Sequence, residues 1–259
     1  MEYPIYQVDA FTDRRFHGNP AAVVVSDAWL AVDVMQAIAA ENNLAETAFV
    51  VPSGARFGIR WFTPTVEIEL CGHATLASAH VLYNHGYTER DPIEFNYGGG
   101  MLTVARDGKR LALDFPSRPP TPTRAAKEIG AALGALPTET HSANATLAVF
   151  ATQREVLALR PDMAAVAKLP GYGLIVTAPG SDCDFVSRFF APQSGVPEDP
   201  VTGSAHCTLI PYWSKRLGKA RLHARQVSPR GGELWCEDRG DRVTIAGQTA
   251  SYLVGTITV

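Results

Sequence analysis

Two short stretches concentrate side chains that can move protons or hold anions. The first is Glu67-Ile-Glu69-Leu-Cys71-Gly72-His73-Ala-Thr75, and the second is Glu198-Asp199-Pro200-Val-Thr202-Gly203-Ser204-Ala-His206. In each, a glycine opens a segment that reads as a helix. A helix start offers unpaired N–H groups and a partial positive charge, which suits an anionic substrate. The structural alternative is capping, in which Asp199, Thr202 or Ser204 simply satisfies those donors. Glu46 stands apart from both stretches, as a carboxylate at the entrance of the apolar strand Thr47 to Val51. A carboxylate in such a place is ordinarily just solvated. Cys71, Cys183, Cys207 and Cys236 form no C-x-x-C pair. The seven histidines do not group, and His73 and His80 share a helix face without a third ligand. The spacing therefore predicts no disulfide framework and no metal site.

The elements around these residues occur twice. Arg60-Trp-Phe-Thr-Pro64 matches Arg188-Phe-Phe-Ala-Pro192, and downstream Gly72-His-Ala74 matches Gly203-Ser-Ala205. Each of those glycines opens a segment that ends at another glycine, Gly86 or Gly218, where a left-handed helix C-cap is expected. Upstream, Ala31, Val34, Met35, Ile38 and Ala39 recur at helical spacing before Thr47 to Val51. In the second half, Asp162 to Lys168 reads as a helix and Leu174 to Thr177 as the strand. Glu46 has no carboxylate counterpart there, where the chain reads Gly171-Tyr-Gly173. The rest is strand-rich. Met101 to Ala105 and Leu111 to Phe115 flank an Asp107-Gly108 hairpin turn. Leu234 to Glu237 pairs with Arg242 to Ala246, and Tyr252 to Val259 alternates like a final strand. His17-Gly18-Asn19-Pro20 reads as a turn. The pattern predicts an α+β fold of two similar domains from an internal duplication, each a curled, mostly antiparallel sheet around a central helix. The domains are expected at 1–115 and 125–259, with the last strand free to cross to the first domain. Prolines at 116, 119, 120 and 122 mark 116–124 as a semi-rigid linker. Two matching helix starts on similar halves suggest an interdomain cleft.

Composition limits the function. The 259 residues carry a net charge of −3, with 46% hydrophobic and 19% charged side chains. That describes an ordinary globular chain without the basic excess that nucleic-acid binding requires. Apolar runs such as Ala21 to Val25 are far shorter than the ~18 residues of a membrane helix. With no visible signal peptide, a cytoplasmic protein is expected. Gly98-Gly99-Gly100 and Gly231-Gly232 adjoin strands and read as turns or bulges, not phosphate loops.

Four motifs, in order, resemble one family. They are Phe16-His-Gly18-Asn19-Pro20-Ala-Ala-Val23, Asn43-Leu-Ala-Glu46-Thr-Ala-Phe49-Val, Phe62-Thr-Pro64 through Cys71-Gly-His73-Ala-Thr75, and Glu198-Asp-Pro200-Val-Thr-Gly203-Ser. Together they are similar to the phenazine-biosynthesis isomerase-like (PhzF-like) family. The resemblance implies a diaminopimelate-epimerase-like fold, a homodimer, and an isomerase without metal or organic cofactor. It places Glu46 as the catalytic acid/base, with His73 and Asp199 as the other two polar positions. Gly72, Gly203 and Ser204 would bind a substrate carboxylate or a developing oxyanion, with Asn19 nearby. Such chemistry needs a carboxyl group that gives and takes a proton near neutral pH, a contribution of roughly 10²–10⁴-fold.

Cys71-Gly72-His73 also resembles the first catalytic motif of proline racemases. Those enzymes use a second cysteine before the other helix, where this chain reads Asp199-Pro-Val-Thr-Gly203. Cys207 lies one turn further on and is expected to pack inward, so a two-thiol racemase is disfavoured. Two alternatives stand beside the isomerase: an amino- or hydroxy-acid racemase using Cys71, and a binding module that has lost catalysis. Cys71 favours the racemase only if its thiol is accessible and unusually acidic.

Overall fold

The structure is a computed structural model that describes residues 1–259. The chain divides into two compact units, Met1–Asp114 together with Ala246–Val259, and Phe115–Ile245. No helix is long and apolar enough to cross a membrane.

The first unit contains β1 (Glu2–Ala10), β2 (Asn19–Val25), α1 (Val32–Asn42), β3 (Glu46–Ser53), β4 (Arg56–Phe62) and the short β5 (Glu67–Ile68). It continues with α2 (Gly72–Asn84), β6 (Ile93–Tyr97), β7 (Gly100–Asp107) and β8 (Arg110–Pro116). β2 and β3 run parallel, linked by α1, and β4 and β6 run parallel, linked through α2. The other pairs are antiparallel, including β1–β2, β3–β4, β6–β7 and β7–β8. The β7–β8 hairpin turns at Gly108, whose φ of +60° matches the expected two-residue turn.

In α2, every residue from Gly72 to Ala79 is buried, with Val81 and Leu82. A helix buried all round must be enclosed, and the sheet curls about it, with β1, β2, β3 and β7 against its sides. Its buried positions include Gly72, Ala74, Ala77, Ser78 and Ala79, small residues that let the strands approach closely. α1 covers the outer face, burying Met35, Ile38 and Ala39 against Ile5, Val24, Phe49 and Phe62. Its end is set by Asn43, left-handed at φ 47°, a conformation asparagine tolerates better than most residues.

The second unit repeats the plan. It contains β9 (Thr121–Pro122), α3 (Ala126–Leu133), β10 (Glu139–Ser142), β11 (Thr146–Val149), α4 (Gln153–Ala158) and α5 (Met163–Val166). Then come β12 (Leu174–Pro179), β13 (Phe185–Ala191), β14 (Val196–Asp199), α6 (Gly203–Leu217), β15 (Arg221–Gln226), β16 (Gly232–Asp238) and β17 (Arg242–Gly247). β11 and β12 are parallel, as are β13 and β15, while β12–β13 and β15–β16 are antiparallel. That is the pairing of β2–β3, β4–β6, β3–β4 and β6–β7 over again. The last strand, β18 (Thr249–Thr258), pairs antiparallel with β1 in the first unit.

The duplicated arginines perform the same task. Arg60 forms a bidentate pair with Glu67 at 2.7 and 2.6 Å and lies over the Phe62 ring. Arg188 pairs with Glu198 at 2.7 and 2.9 Å and lies over Phe190. Each pair ties a strand to the segment that leads into a central helix.

The proline-rich stretch 116–124, expected as a connection, is hydrogen-bonded along the second unit. β9 pairs with β10, Thr123 N donates to Thr140 O, and Ser117 N donates to Asp241 O. Arg118 N donates at 2.9 Å to the carbonyl of Cys207. That carbonyl is free because Pro211, four residues on within α6, has no N–H to offer it. A further difference lies at 17–20, where only His17 and Gly18 belong to a turn and Asn19 and Pro20 begin β2.

Candidate active site

In the first unit, Glu46, His73, Cys71 and Asn19 come together. Glu46 is the first residue of β3, delivered there by the Asn43 turn and held by parallel pairing with Ala21. His73 is the second residue of α2. The side chains are nearly enclosed, 14% exposed for Glu46 and 5% for His73. Glu46 Oε2 lies 3.0 Å from His73 Nε2. The contact is close but misaligned, and neither atom has a hydrogen-bond partner elsewhere in the protein. Buried polar atoms are nearly always paired in folded proteins, so two facing each other without an aligned bond mark a strained or functional place.

The other edge of the ring is occupied. Asn19, fully buried, places its Nδ2 3.1 Å from His73 Nδ1, and Cys71 Sγ is 3.5 Å from the same nitrogen. Burial pulls the imidazole down, but Cys71 and Glu46 as anions raise it further, and the net direction is well above an ordinary histidine. Burial, with the charge of Glu46, pushes the Cys71 thiol up.

Glu46, Cys71 and His73 offer a carboxylate oxygen, a sulfur and an imidazole nitrogen within 4.8 Å of one another, donor types that zinc accepts. Cys71 Sγ is nearest Nδ1 at 3.5 Å and Glu46 Oε2 lies 3.0 Å from Nε2, so the two partners address different nitrogens of the ring.

In the second unit, Asp199 and Ser204 flank the start of α6. Thr202 does not cap this helix. Its hydroxyl donates instead to Asp199 Oδ2 in a short bond. Gln226, fully buried, clamps the turn: its Oε1 accepts from Thr202 N at 2.9 Å, and its Nε2 donates to Asp199 O at 2.7 Å. Ser204 Oγ accepts from the Tyr172 hydroxyl at 3.1 Å. Cys71, at the start of α2, likewise makes no side-chain cap bond. The chain does cap helices elsewhere, with a Thr152–Glu155 capping box on α4 and Asp162 on α5. At the two central helices, by contrast, neither N-cap residue, Cys71 or Thr202, makes a side-chain cap bond.

Several residues of the polar stretches have other duties. Glu67 and Glu198 serve the arginine pairs, and Glu69 is exposed. His206 is fully buried against Phe185, bonds the Thr202 carbonyl through Nδ1 at 2.8 Å, and is pushed down by burial to about 4. Cys207 is buried, its thiol pushed up to about 12. His80 bonds Thr249 and Ser251, each at 2.7 Å. Sequence reasoning missed Gln226 and the part played by Tyr172. The only signal for Tyr172 was the odd Gly171-Tyr-Gly173 that follows the second-unit helix, and nothing in the sequence singled out Gln226.

The chain resembles known proteins along nearly its whole length. Residues 8–255 match the PhzC-PhzF family, described as phenazine biosynthesis-like protein. A Pseudomonas aeruginosa protein called an uncharacterized isomerase is 53% identical over 258 residues, covering 99% of each chain. A crystal structure of a PhzF-family phenazine biosynthesis protein from Enterococcus faecalis superposes with a TM-score of 0.98 at 46% identity, covering all of both chains. A hydroxyproline epimerase from Agrobacterium vitis, 11% identical with a TM-score of 0.62 over 99% of this chain and 92% of its own, shares the fold alone.

Proposed function

The chain belongs to the phenazine biosynthesis-like protein family, and from that premise we propose that it is a cofactor-independent isomerase moving a proton on a small carboxylate-bearing substrate. The observation that carries this reading is the Glu46–His73 contact, a buried carboxylate and imidazole at 3.0 Å with no aligned bond between them. Catalytic hydrogen bonds are often poorly aligned before substrate arrives.

In the proposed reaction, Glu46 takes a proton from a carbon conjugated with the substrate carboxylate. The C–H electron pair moves into an enolate-like system, and the proton returns from Glu46 to a different carbon, so atoms and charge balance. His73 faces Glu46 through Nε2 and places a positive partner beside it. The family motif assigns Gly72, Gly203 and Ser204 to the substrate carboxylate or the enolate oxygen. Asn19 touches His73, so it is read as holding that ring in place. Asp199 is assigned on the family motif, and its bond to Thr202 is the contact that substrate would compete for.

The racemase alternative loses ground. Cys71 is 5% exposed and its thiol is pushed up, the reverse of an accessible, acidic nucleophile. A homodimer is proposed on family resemblance, and light scattering at twice 27.9 kDa tests it.

The function is tested by incubating the protein in D₂O with dihydro-3-hydroxyanthranilate and a panel of amino and hydroxy acids, following carbon-bound hydrogen by NMR. Deuterium entering one member of the panel, with a shifted double bond, supports the reading. Exchange with inversion at a single carbon supports a racemase instead, and no exchange with any compound favours the binding module.

A further inference from the structure

The two units fill one corresponding strand position differently. Counting back from the matched Arg60 and Arg188, Gly58 corresponds to Val186, and these pair with Asn96 in β6 and Arg225 in β15. The residues that follow, Tyr97 and Gln226, therefore correspond. Counting back from Gly72 and Gly203, Ile68 corresponds to Asp199 and Cys71 to Thr202. The pairing agrees, since Ile68 lies opposite Trp61 and Asp199 opposite Phe189. Where the segment before the central helix carries a carboxylate and a hydroxyl, the strand carries a fully buried glutamine. Where it carries an isoleucine and a cysteine, the strand carries a half-buried tyrosine, packed on Trp61 with ring centroids 5.5 Å apart. The same fold is thus built without the glutamine.

The Gln226 side chain gives all its hydrogen bonds to the turn 199–202. Its Oε1 accepts from Thr202 N at 2.9 Å, and its Nε2 donates at 2.7 Å to Asp199 O and at 3.2 Å to Thr202 Oγ1. A donor stands on one side of the amide and acceptors on the other, so the amide cannot be turned over and a carboxylate cannot replace it. The Thr202 oxygen accepts from Nε2 and directs its own proton to Asp199 Oδ2. Two further side chains hold the same turn. His206 Nδ1 bonds Thr202 O at 2.8 Å, and Ser228 Oγ donates to Pro200 O at 2.8 Å. Of the three, Gln226 alone bonds the Thr202 hydroxyl.

We propose that Gln226 is a positioning residue, which through the Thr202 hydroxyl fixes the orientation of the Asp199 carboxylate before substrate arrives. Asp199 is half-buried, whereas Gln226 has no exposed surface. The glutamine therefore acts through Thr202 and not on a ligand. This deepens the isomerase reading and rests on it for the use made of Asp199. The placement itself rests on contacts within the second unit.

The test reads the Thr202 rotamer in ligand-free protein, from three-bond NMR couplings to its Cγ2. Wild type is compared with Gln226→Leu, Gln226→Glu and Ser228→Ala, each checked for folding by its amide spectrum. Wild type should hold one rotamer, and Gln226→Leu should average the couplings over several. Gln226→Glu should do the same, because it keeps the size of the side chain but as a carboxylate cannot donate to Thr202 Oγ1. Ser228→Ala removes a different bond to the same turn and should keep the wild-type rotamer. On the substrate found by exchange, Gln226→Leu should lower kcat about tenfold with KM within a few-fold, one hydrogen bond's worth of barrier. Adding Thr202→Val to it should cost nothing more. The wild-type rotamer in both glutamine variants, averaging in Ser228→Ala as well, or additive losses in the double variant would each overturn the proposal. The couplings need no substrate, so they decide the placement even if the isomerase reading fails.

Discussion

Asn19 holds His73 by the nitrogen that Glu46 does not use. Its Nδ2 lies 3.1 Å from Nδ1, while Glu46 Oε2 lies 3.0 Å from Nε2. An amide can serve both forms of the ring, offering its NH₂ to a bare Nδ1 and its oxygen to a protonated one. In either form, Nε2 stays directed at Glu46. This contact spans 54 residues and joins the start of β2 to the start of α2.

Asn19→Ala is expected to leave the ring free to turn, lowering turnover on the order of tenfold, which is one hydrogen bond's worth of barrier. Steady-state kinetics on the substrate found by exchange would measure it. Unchanged kcat would show that the amide does not set the geometry.

The two arginine pairs are equivalent in sequence and unequal in burial, which predicts unequal cost. The Arg188–Glu198 side chains are 11% and 17% exposed, against 27% and 39% for Arg60–Glu67. Arg188 also donates to the Val156 and Leu159 carbonyls at the end of α4. Arg188→Met strands a largely buried carboxylate and should cost about 3 kcal/mol, whereas Arg60→Met should cost under about 1 kcal/mol. Urea unfolding of the two variants decides the matter, and equal losses would contradict it.

Acid should destabilise the fold through buried histidines. Burial lowers His80 and His206 to about 4, against about 6.5 in the unfolded chain. Between those values the unfolded state binds more protons, so stability falls as pH drops from about 6.5 to about 4 and is complete above 6.5. At pH 5 each histidine should cost about 2 kcal/mol. His206→Gln should remove one histidine's share of that slope, read from unfolding curves at pH 5 and 7.5. Identical slopes in the variant and wild type would show that His206 is not the sensor.

Cys71 should be a slow thiol. Buried and pushed up, it should react with iodoacetamide at least about a hundredfold more slowly than free cysteine at pH 7.5. Peptide mapping against time measures this, and rapid alkylation at Cys71 with loss of activity would revive the racemase reading.

Local signals carried much of this architecture. Gly72 and Gly203, Gly86 and Gly218, the two arginine motifs and Asp107-Gly108 each act over a few residues, and each marks a real boundary or turn. What escaped depends on distant contacts. Tyr172 bonds a serine 32 residues away, and Gln226 clamps a turn 24 residues away. The proline-rich stretch docks because Pro211 leaves a carbonyl open, which no reading of 116–124 alone could reveal. His206 shares a polar stretch with Asp199, but α6 carries it round into the core beside Phe185. Glu198 looked as reactive as its neighbour until Arg188 claimed it.

The central claim is that Glu46 carries the proton. Its most direct test is the rate of solvent deuterium entering the substrate carbon with wild type, Glu46→Gln and Cys71→Ala, each checked for folding by its amide spectrum. Glutamine keeps the size and shape of the side chain but cannot exchange a proton as a carboxyl group does. The account predicts that Glu46→Gln loses roughly 10²–10⁴-fold in exchange while Cys71→Ala stays within a few-fold of wild type. Exchange that persists in Glu46→Gln and disappears in Cys71→Ala would contradict it.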